Sequence, residues 1–399
     1  MKAIEDVTGQ RVLTRIDINA PVEDGEVQST KRFERHAETI RQLVEQNETV
    51  AVLAHQGRPG RDTHVSLDQH ADILEEEAGV PVRYVDDNVG EDAIEAVRQS
   101  DGDEAVLLEN VRFLDEELEN QSPEEHAESE LVQTLSQYFD VYVNDAFSAA
   151  HRPHASLVGF APVMEARAGP VMQQEWEHTS TVRNGLERDT AMLVGGKKAS
   201  DVIQVMEELV EEVDDFLVSG LVGELFLRAE GHDVGYDVRQ DDTFMHEQWL
   251  ENRDRITYLL DNYRDKLHLP QDLAFFNGAE VREEVPIEEA AKEKPYWDVG
   301  RRTVEQFSDV IQDAEAVYVK GAPGVFEDDR FRYGTRQMLE AIRSSAEFSV
   351  VGGGDTARAV DLCGFDDADF SHVSIAGGAY IRALTGEELP AVQALEEHG

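Results

Sequence analysis

The chain has 399 residues, of which 41% are apolar, and it contains a single cysteine, Cys363. This length is enough for two or three domains with ordinary cores. One cysteine excludes a disulfide within the chain, as is typical of proteins in a reducing cytosol. The first ten residues lack the apolar core of a signal peptide, and no apolar run approaches the roughly 20 residues that span a bilayer. We therefore expect a soluble, cytoplasmic protein with no membrane partner.

Charge is the unusual property of this composition, because 84 Asp and Glu stand against 36 Lys and Arg, a formal net charge of −48. Such a surface repels nucleic acid and anionic membranes. Disorder is one explanation, but the acids are spread through periodic segments. The other is a halophilic surface, whose self-repulsion is screened by concentrated salt, and the scarcity of lysine (eight, against 28 arginines) agrees with it. We favour the halophilic surface and expect unfolding at low salt, which activity in dilute buffer would contradict.

Short β-rich runs alternate with segments of helical periodicity along the whole chain. The runs predict strands at residues 12–18, 50–55, 83–86, 105–109, 141–145, 191–194, 215–218, 273–277, 316–320, 348–351 and 372–375. Between them, apolar residues recur at helical spacing, as they do over 203–213. The acidic segment 115–130 is interpreted as a solvated helix and its approach rather than as a site. Alternation of this kind predicts parallel sheets with helices on both faces.

The number of predicted strands exceeds what one open sheet usually holds, so the chain is divided into two halves. The helix-compatible stretch 169–188 is interpreted as the connection between them. We predict an N-terminal domain at 1–168, an interdomain helix and hinge at 169–188, a C-terminal domain at 189–376, and a segment at 377–399 that packs back toward the N-terminal domain. The predicted fold class is α/β, with two doubly wound, Rossmann-like parallel-sheet domains joined by a helix and a cleft between them.

In open parallel sheets, ligands bind beyond the carboxyl ends of the strands, and in the first half those ends carry basic residues. The stretches are RIDINAP (15–21), HQGRP (55–59), ENVRF (109–113) and NDAFSAAHRPHAS (144–156). They contain the cations Arg58, Arg112, Arg152, His55, His151 and His154, and Arg32 lies in a following loop. Guanidinium groups match carboxylate and phosphate, although pairing with nearby acids is the alternative for any single arginine. A metal site at the two neighbouring histidines is disfavoured, because no Cys or carboxylate stands at zinc-like spacing.

In the second half, the strand ends are rich in glycine instead. They read VGGKKASD (194–201), VKGAPGVFED (319–328) and VGGGDTA (351–357). Free N–H groups at a glycine loop and a helix N-terminus bind phosphate, although a plain strand-to-helix turn has the same pattern. Thr356 or Asp355 is predicted to cap the helix that follows. In such a site, Lys198 supplies a positive charge to a polyphosphate, and Asp355 binds hydrated Mg²⁺. Glu327 either accepts a hydrogen bond from a ribose or is simply an exposed acid.

These motifs, in this order, resemble the phosphoglycerate kinase family over nearly the whole chain, and SHVSIAGGAYIRALTGEELP (371–390) is the last of them. The resemblance implies Mg²⁺-dependent, direct in-line phosphoryl transfer between 1,3-bisphosphoglycerate with ADP and 3-phosphoglycerate with ATP, in glycolysis and gluconeogenesis, by a monomer. The implied substrate-binding residues are Asp17, Ile18, Asn19, Arg32, His55, Gln56, Gly57, Arg58, Arg112, Arg152 and His154. The implied nucleotide-binding residues are Lys198, Glu327, Gly353, Gly354, Asp355 and Thr356, with Asp355 as the metal ligand. Of all these, the resemblance implies that Arg32, Lys198, Gly353 and Gly354 are catalytic.

Four positions depart from the commonest family pattern. Val202 stands where many members carry a second lysine, which helps to neutralise the transferring group, and archaeal members lack that lysine too. Lys197 replaces a small residue, Lys320 stands where asparagine is usual, and Ala322 stands where proline is usual. Whether Lys197 or Lys320 compensates for Val202 is open. The alternative function is a nucleotide-binding scaffold of the same fold without transfer activity, and the presence of both the arginine set and the glycine set argues against it.

Overall fold

The structure is a computed structural model that describes residues 1–4, 6–185, 189–234, 242–278, 281–291, 293–384 and 386–399. The chain divides into two compact units. Unit 1 is Met1–Ser180 together with Gly378–Gly399, and unit 2 is Thr181–Gly377. The predicted connection at 169–188 coincides with a helix, Pro170–Gly185, and its residues 186–188 lie outside the described residues.

Unit 1 is built on a parallel sheet. Its strands, including a short hairpin, are β1 (Arg11–Arg15), β2 (Val22–Glu23), β3 (Glu26–Val27), β4 (Thr49–Leu53), β5 (Val82–Tyr84), β6 (Ala105–Leu107), β7 (Val141–Asn144) and β8 (Glu165–Ala168). The helices along this part of the chain are α1 (Lys31–Gln46), α2 (Asp68–Ala78), α3 (Glu91–Gln99), α4 (Pro123–His126), α5 (Glu130–Leu135), α6 (Ala155–Val158) and α7 (Pro170–Gly185). The sheet order is β5-β6-β4-β1-β7-β8, and every pair is parallel.

The core of unit 1 follows from the apolar pattern of its central strands. Strand β4, with the sequence TVAVL, is buried at every position, as a central parallel strand covered on both faces must be. The apolar stripe of α1, which includes Phe33, Ile40 and Leu43, belongs to the same core cluster. The chain goes from β1 to β4, β5 and β6 on one side of β1 and returns to β7 on the other side. The loops after β1 and β7 therefore lie at the topological switch point, where ligands bind in such sheets.

Unit 2 repeats this architecture. Its strands are β9 (Thr190–Val194), β10 (Asp215–Val218), β11 (Leu267–His268), β12 (Asp272–Phe276), β13 (Arg282–Pro286), β14 (Tyr296–Val299), β15 (Ala316–Lys320), β16 (Phe348–Gly352) and β17 (His372–Ser374). Its helices are α8 (Ala199–Leu209), α9 (Gly220–Ala229), α10 (Asp242–Tyr263), α11 (Arg301–Asp313), α12 (Tyr333–Ser345) and α13 (Gly354–Leu362). The parallel sheet has the order β11-β10-β9-β15-β16-β17, with its switch point between β9 and β15.

The last part of the chain belongs to unit 1. It forms α14 (Gly378–Leu384) and α15 (Pro390–His398). Helix α14 contacts the 3₁₀ turn Phe147–Ala149, and α15 packs against α6 and β8. The N–H of Ala391 donates to the carbonyl of Ala150 at 3.1 Å. The C-terminal residues thus lie beside the long loop that follows β7.

The prediction of two parallel α/β sheets is confirmed, but the placement of 273–277 in a parallel sheet is wrong. This strand, β12, is the middle of an antiparallel sheet with the order β13-β12-β14. The sequence prediction also missed β2, β3, β8, β11, β13 and β14. These strands are short or, like REEVP in β13, polar, so they form because a neighbouring strand pairs with them rather than because of an apolar run. No helix in the described ranges has the length and apolarity needed to cross a membrane.

Candidate functional site

The buried carboxylate of Asp17, two residues after the end of β1, is the centre of a charged cluster in unit 1. Its Oδ2 accepts hydrogen bonds from Nη1 of Arg32, at 3.0 Å, and from the hydroxyl of Ser148. Its Oδ1 accepts from the backbone N–H of Asn19 at 3.1 Å. Burial acts to raise the pKa of Asp17, but Arg32, His55 and the Ser148 hydroxyl hold it far below its ordinary value. Asp17 is therefore an anion that fixes the orientation of Arg32.

His55, two residues after the end of β4, is a neutral hydrogen-bond donor. Nη2 of Arg15 lies 2.9 Å from Nδ1 of His55. Because a guanidinium can only donate, Nδ1 is the acceptor and the ring proton is on Nε2. Burial lowers the pKa of His55, and Arg15, Arg112 and Arg152 lower it further against the opposing effect of Asp17. The imidazole therefore offers an uncharged N–H group in the middle of a cationic cluster.

Arg15 is a member of this charged cluster that sequence reasoning missed. It is fully buried at the end of β1 and donates to the hydroxyl of Ser156 at 2.8 Å. That hydroxyl donates in turn to Oε1 of Glu117 at 2.8 Å, and the Ser156 N–H donates to Oε2 at 2.7 Å. Burial acts to raise the pKa of Glu117, but His154 and Arg15 lower it. The only available signal was an arginine that ends the strand RVLTR directly after a run of buried positions.

The position of Glu117 corrects part of the interpretation of 115–130 as a solvated segment, although most of this segment is exposed or half-buried. This stretch contains a 3₁₀ turn, Asp115–Leu118, and then α4 and the start of α5. Glu117 is fully buried in that turn, and Nδ1 of His154 lies 3.6 Å from its Oε1. The carboxylate of Glu117 interacts electrostatically with Arg15 and Arg112 and neutralises part of their charge, so this acid belongs to the cluster and not to the surface.

The remaining predicted arginines of unit 1 crowd one another. Nη1 of Arg112 donates to the carbonyl of Gly57, and burial together with Arg152 lowers the pKa of Arg112 to about 10. Nε of Arg152 lies 3.2 Å from Nε2 of His151, and burial together with Arg58 lowers the pKa of Arg152. Cations that lower one another's pKa are stabilised when an anion binds among them. The cluster therefore suits a ligand with more than one negative group.

Two of the predicted substrate-binding residues direct their side chains into the protein. Ile18 is fully buried. The Gln56 amide accepts from the N–H of Ala20 at 2.9 Å, and it donates to the carbonyls of Ala20, at 2.9 Å, and of Thr63, at 3.2 Å. Asn19 bridges the same loops, because its Oδ1 accepts from the N–H of Gly57 at 2.8 Å. These side chains hold together the loops after β1 and β4 that carry the charged groups.

The glycine loops of unit 2 pack backbone against backbone. The N–H of Gly195 donates to the carbonyl of Lys320, and the N–H of Gly196 donates to the carbonyl of Ala322, each at 2.9 Å. A β-carbon at Gly195 would lie 2.6 Å from the Ala322 carbonyl oxygen, and one at Gly321 would overlap the Gly195 carbonyl. Only glycine permits this approach. The loops after β9 and β15 are therefore joined at the switch point of the sheet.

The third glycine loop turns β16 into α13. The residue before α13 is Gly353, with φ +103°, and its N–H donates to the carbonyl of Ser374 at 3.1 Å. The prediction that Thr356 or Asp355 caps this helix is wrong, because Gly353 is the N-cap residue. The Thr356 hydroxyl instead accepts from the N–H of Gly321 at 3.2 Å. With no described side chain capping α13, the N–H groups of its first turn are available to an anion.

The charged residues of unit 2 stand around these loops. Lys198, just before α8, and Asp355, in the first turn of α13, are exposed. Glu327 is exposed in the loop after β15, where Ala322 and Phe326 pack against Ala359 of α13. The structure thus collects the glycine loops, Lys198 and Asp355 at one edge of the sheet, and the packing of Phe326 holds the stretch that carries Glu327 beside α13.

Known proteins resemble the chain along nearly its whole length. A model of the phosphoglycerate kinase family matches residues 1–387. The chain is 52% identical to phosphoglycerate kinase of Haloarcula marismortui over 389 residues, 97% of each protein. It is 53% identical to that of Halorubrum lacusprofundi over 388 residues, which are 97% of this chain and 95% of the relative. A crystal structure of the enzyme from Pyrococcus horikoshii OT3 matches with a TM-score of 0.91 and 32% identity, over 99% of this chain and 98% of that chain.

Proposed function

Because the chain belongs to the phosphoglycerate kinase family, we propose how its residues carry out that family's reaction. The reaction is reversible phosphoryl transfer between 1,3-bisphosphoglycerate with ADP and 3-phosphoglycerate with ATP. The observation that carries the proposal is the difference between the two switch points, a crowded guanidinium cluster in unit 1 and glycine loops with lysines in unit 2. A scaffold that only binds nucleotide needs no guanidinium cluster, and none of these observations favours it.

The unit 1 cluster is proposed to bind 3-phosphoglycerate, which carries a phosphate and a carboxylate. Arg32, oriented by Asp17, and the neutral N–H of His55 are proposed to bind the reacting end of the substrate. Asp17 and Asn19 are proposed to contact its hydroxyl and carboxyl region. The backbone of the loops after β1 and β4 includes Ile18, Gln56 and Gly57, which are proposed to shape the substrate site. The anionic groups are proposed to be bound by Arg58, Arg112, Arg152 and His154.

The unit 2 loops are proposed to bind ADP and ATP. The free N–H groups at Gly354 and Asp355 are oriented to hold phosphate oxygens, since the positive end of the α13 dipole lies there. A β-carbon at Gly354 would have no atom within 4 Å, so the approach to this turn is open. Lys198 is proposed to contact the phosphates, Thr356 to hold the phosphate loop against Gly321, and Glu327 to accept a hydrogen bond from the ribose.

Asp355 fits a magnesium ion that is bound mainly by water and phosphate. Its carboxylate is exposed and makes no hydrogen bond or ion pair with the described residues. In the same residues, no group of three or more His, Cys, Asp or Glu gathers to form a metal site. Mg²⁺ commonly takes one or two carboxylates and completes its shell with water and nucleotide phosphates. When bound, it supplies positive charge to the phosphate oxygens.

Catalysis is proposed to rest on positioning and charge, without a covalent enzyme intermediate. In-line transfer spreads negative charge over the three equatorial oxygens of the transferring group. Arg32 from unit 1, Lys198 from unit 2 and the N–H groups of the Gly353–Gly354 turn are proposed to stabilise that charge. Donors that are already oriented need no reorganisation during the reaction. The hydrogen bond that Arg32 donates to Asp17 provides that orientation in unit 1.

The proposal is tested by a coupled assay with 3-phosphoglycerate and ATP in concentrated KCl. The Arg32→Ala variant is expected to lower kcat on the order of 10²-fold or more, as loss of a transition-state donor does, and to leave ATP affinity unchanged. The matched control is Arg98→Ala, because Arg98 lies over the ring of Tyr138 just before the start of β7, and not at the carboxyl ends of the strands. An equal loss of kcat and of ATP affinity in Arg32→Ala would show that the role assigned to Arg32 is wrong.

We further propose that the enzyme is a cytoplasmic monomer that works in glycolysis and gluconeogenesis. The family supports the pathway, and the single, buried and unbridged Cys363 agrees with a reducing compartment. Sedimentation in concentrated KCl is expected to give the monomer mass of 44.7 kDa. A mass twice as large would contradict the proposal.

A further inference from the structure

Lys320 ends β15, a central strand in the sheet of unit 2. Its register partners are Val194, the last residue of β9, and Gly352, the last residue of β16. Its carbonyl accepts a hydrogen bond from the N–H of Gly195 at 2.9 Å. Lys320 therefore stands at the carboxyl edge of the sheet, with a glycine loop on each side and its backbone fixed by one of them.

The side chain of Lys320 reaches the loop between β16 and α13. A β-carbon at Gly353 would lie 3.3 Å from Nζ of Lys320. The absence of a side chain at Gly353 therefore leaves room for the ammonium group beside the first turn of α13. Lys320 is only partly exposed, and its ammonium makes no hydrogen bond or ion pair with the residues that the structure describes.

The surroundings of Lys320 disfavour its charged form. The charged groups that act on it are Lys198, Asp201 and Asp355. Burial lowers the pKa of Lys320 and Lys198 lowers it further, so the two carboxylates do not offset these effects. The chain carries 84 acidic and 36 basic residues, so acidic partners for a lysine are abundant. Two neighbouring lysines left unpaired beside a glycine loop indicate that an anionic ligand completes the arrangement.

The other candidate positions do not supply a cation at this place. Val202 is 2% exposed, so α8 directs its side chain into the core. Lys197 is exposed and is not among the groups that act on Lys320. Of the two residues that the sequence left open as replacements for a lysine at 202, only Lys320 reaches the Gly353 turn.

We propose that Lys320 is a second phosphate-binding lysine, which contacts the transferring phosphoryl group of the nucleotide together with Lys198. This inference rests on the nucleotide site proposed for unit 2. The ammonium keeps its protons and donates hydrogen bonds to equatorial phosphate oxygens, where negative charge is spread in the transition state. Lys320 therefore stabilises the transition state through charge and forms no covalent bond.

The test compares Lys320→Met, which removes the ammonium group but keeps an unbranched side chain only one atom shorter, with Lys320→Arg, which keeps the charge. Lys197→Met is the matched control on the neighbouring loop. In Lys320→Met, kcat is expected to fall about 10²-fold, in line with the loss of one preorganised donor. ATP affinity is expected to fall more than AMP affinity, because AMP lacks the outer phosphates. Lys320→Arg is expected to keep most of the activity and Lys197→Met all of it.

The pH profile separates a charge role from a structural one. In the wild type, kcat/KM is expected to fall at alkaline pH as Lys320 loses its proton. In Lys320→Arg this fall is expected at higher pH, because a guanidinium stays protonated.

Two results would overturn the inference. One is a wild-type kcat in Lys320→Met, and the other is an equal loss of ATP and AMP affinity in both Lys320 variants. A failure of the proposed function is recognised separately. In that case the wild type would not react with 3-phosphoglycerate, while its preference for ATP over AMP would still depend on Lys320.

Discussion

The sites of the two units hold their cations in different ways. In unit 1, Arg32 is bonded to the carboxylate of Asp17, and Arg15 to the hydroxyl of Ser156. In unit 2, Lys198 and Lys320 have no hydrogen-bond or ion-pair partner in the described ranges. The guanidinium groups are thus oriented before any ligand binds. The ammonium groups have no such protein partner and are available to pair with a ligand. Arginine suits the first task because its planar group makes several fixed bonds, and lysine suits the second because it is a mobile point charge.

The two units also differ in the charge state of a buried carboxylate. The pKa of Asp17 in unit 1 is lowered, whereas the pKa of Asp298 in unit 2 is raised. In unit 1, the cations around Asp17 outweigh its burial and hold its pKa low. In unit 2, the carboxylate of Asp298 in β14 accepts hydrogen bonds from the N–H groups of Val299 and Gly334, each at 2.9 Å. Nη2 of Arg282 lies 3.5 Å from Oδ2 of Asp298. Burial raises the pKa of Asp298 to about 7, and these contacts only partly oppose it. The number of nearby cations, rather than burial alone, therefore decides whether a buried acid stays charged.

The largest effect is expected from Gly321→Ala, which tests whether the unit 2 site depends on its backbone. The new β-carbon would overlap the carbonyl of Gly195. We expect a loss of unfolding free energy above about 3 kcal/mol and loss of ATP binding. Gly364→Ala is the matched control, because Gly364 also has positive φ, +81°, but nothing lies within 4 Å of an added β-carbon. We expect Gly364→Ala to lower the unfolding free energy by about 1 kcal/mol.

Urea unfolding in concentrated KCl and ATP titration measure both variants. Equal losses of stability in Gly321→Ala and Gly364→Ala would mean that positive φ, and not the close approach of the loops, accounts for the glycine at 321.

An intermediate effect is expected from Asp298→Asn, which tests the contrast between the buried carboxylates. The folded pKa of about 7 lies above the unfolded value of about 4. The folded state therefore binds more protons between these values, and the stability from this group is present below pH 4 and is lost as pH rises through about 7. Asp17 acts in the opposite sense, because its depressed pKa gives stability that is lost only as pH falls.

Between pH 5 and pH 8, the wild type is expected to lose on the order of 2 kcal/mol more stability than Asp298→Asn. The measurement is the unfolding free energy of both proteins at each pH. Asp309→Asn, an exposed change on α11, is expected to follow the wild type. If Asp298→Asn follows it too, Asp298 is charged in the folded protein and the contrast with Asp17 is wrong.

The smallest effect is expected from Ser148→Ala, which tests how much orientation of Arg32 depends on one bond. The change removes the donor to Oδ2 of Asp17 but leaves the bond between Asp17 and Arg32. We expect a loss of about 1 kcal/mol of binding free energy for 3-phosphoglycerate. This loss raises KM for 3-phosphoglycerate about fivefold and leaves KM for ATP unchanged. Ser136→Ala, in the turn before β7, should change neither constant. A rise in both KM values would indicate a general loss of structure.

The fold was largely predictable because it follows from local periodicity. Strands such as β4 and β15 are apolar at nearly every position, and the helices between them have amphipathic spacing, so the parallel sheets could be read from the pattern. The antiparallel strand β13, REEVP, could not, because only pairing with β12 makes it a strand. Gly353 as the N-cap of α13 was likewise hidden, since the Thr356 hydroxyl serves a distant N–H group.

The sequence by itself determined the two sheets and the residue types at their strand ends, because both depend on patterns a few residues long. The tertiary structure decided which charges meet. Arg15 and Ser156 are 141 residues apart along the chain, and the side chain of Lys320 extends to the loop at Gly353. Such partners are brought together by the order of strands in a sheet, and no local pattern encodes that order. The charge state of each buried group follows from its partners, so it too is a property of the folded chain.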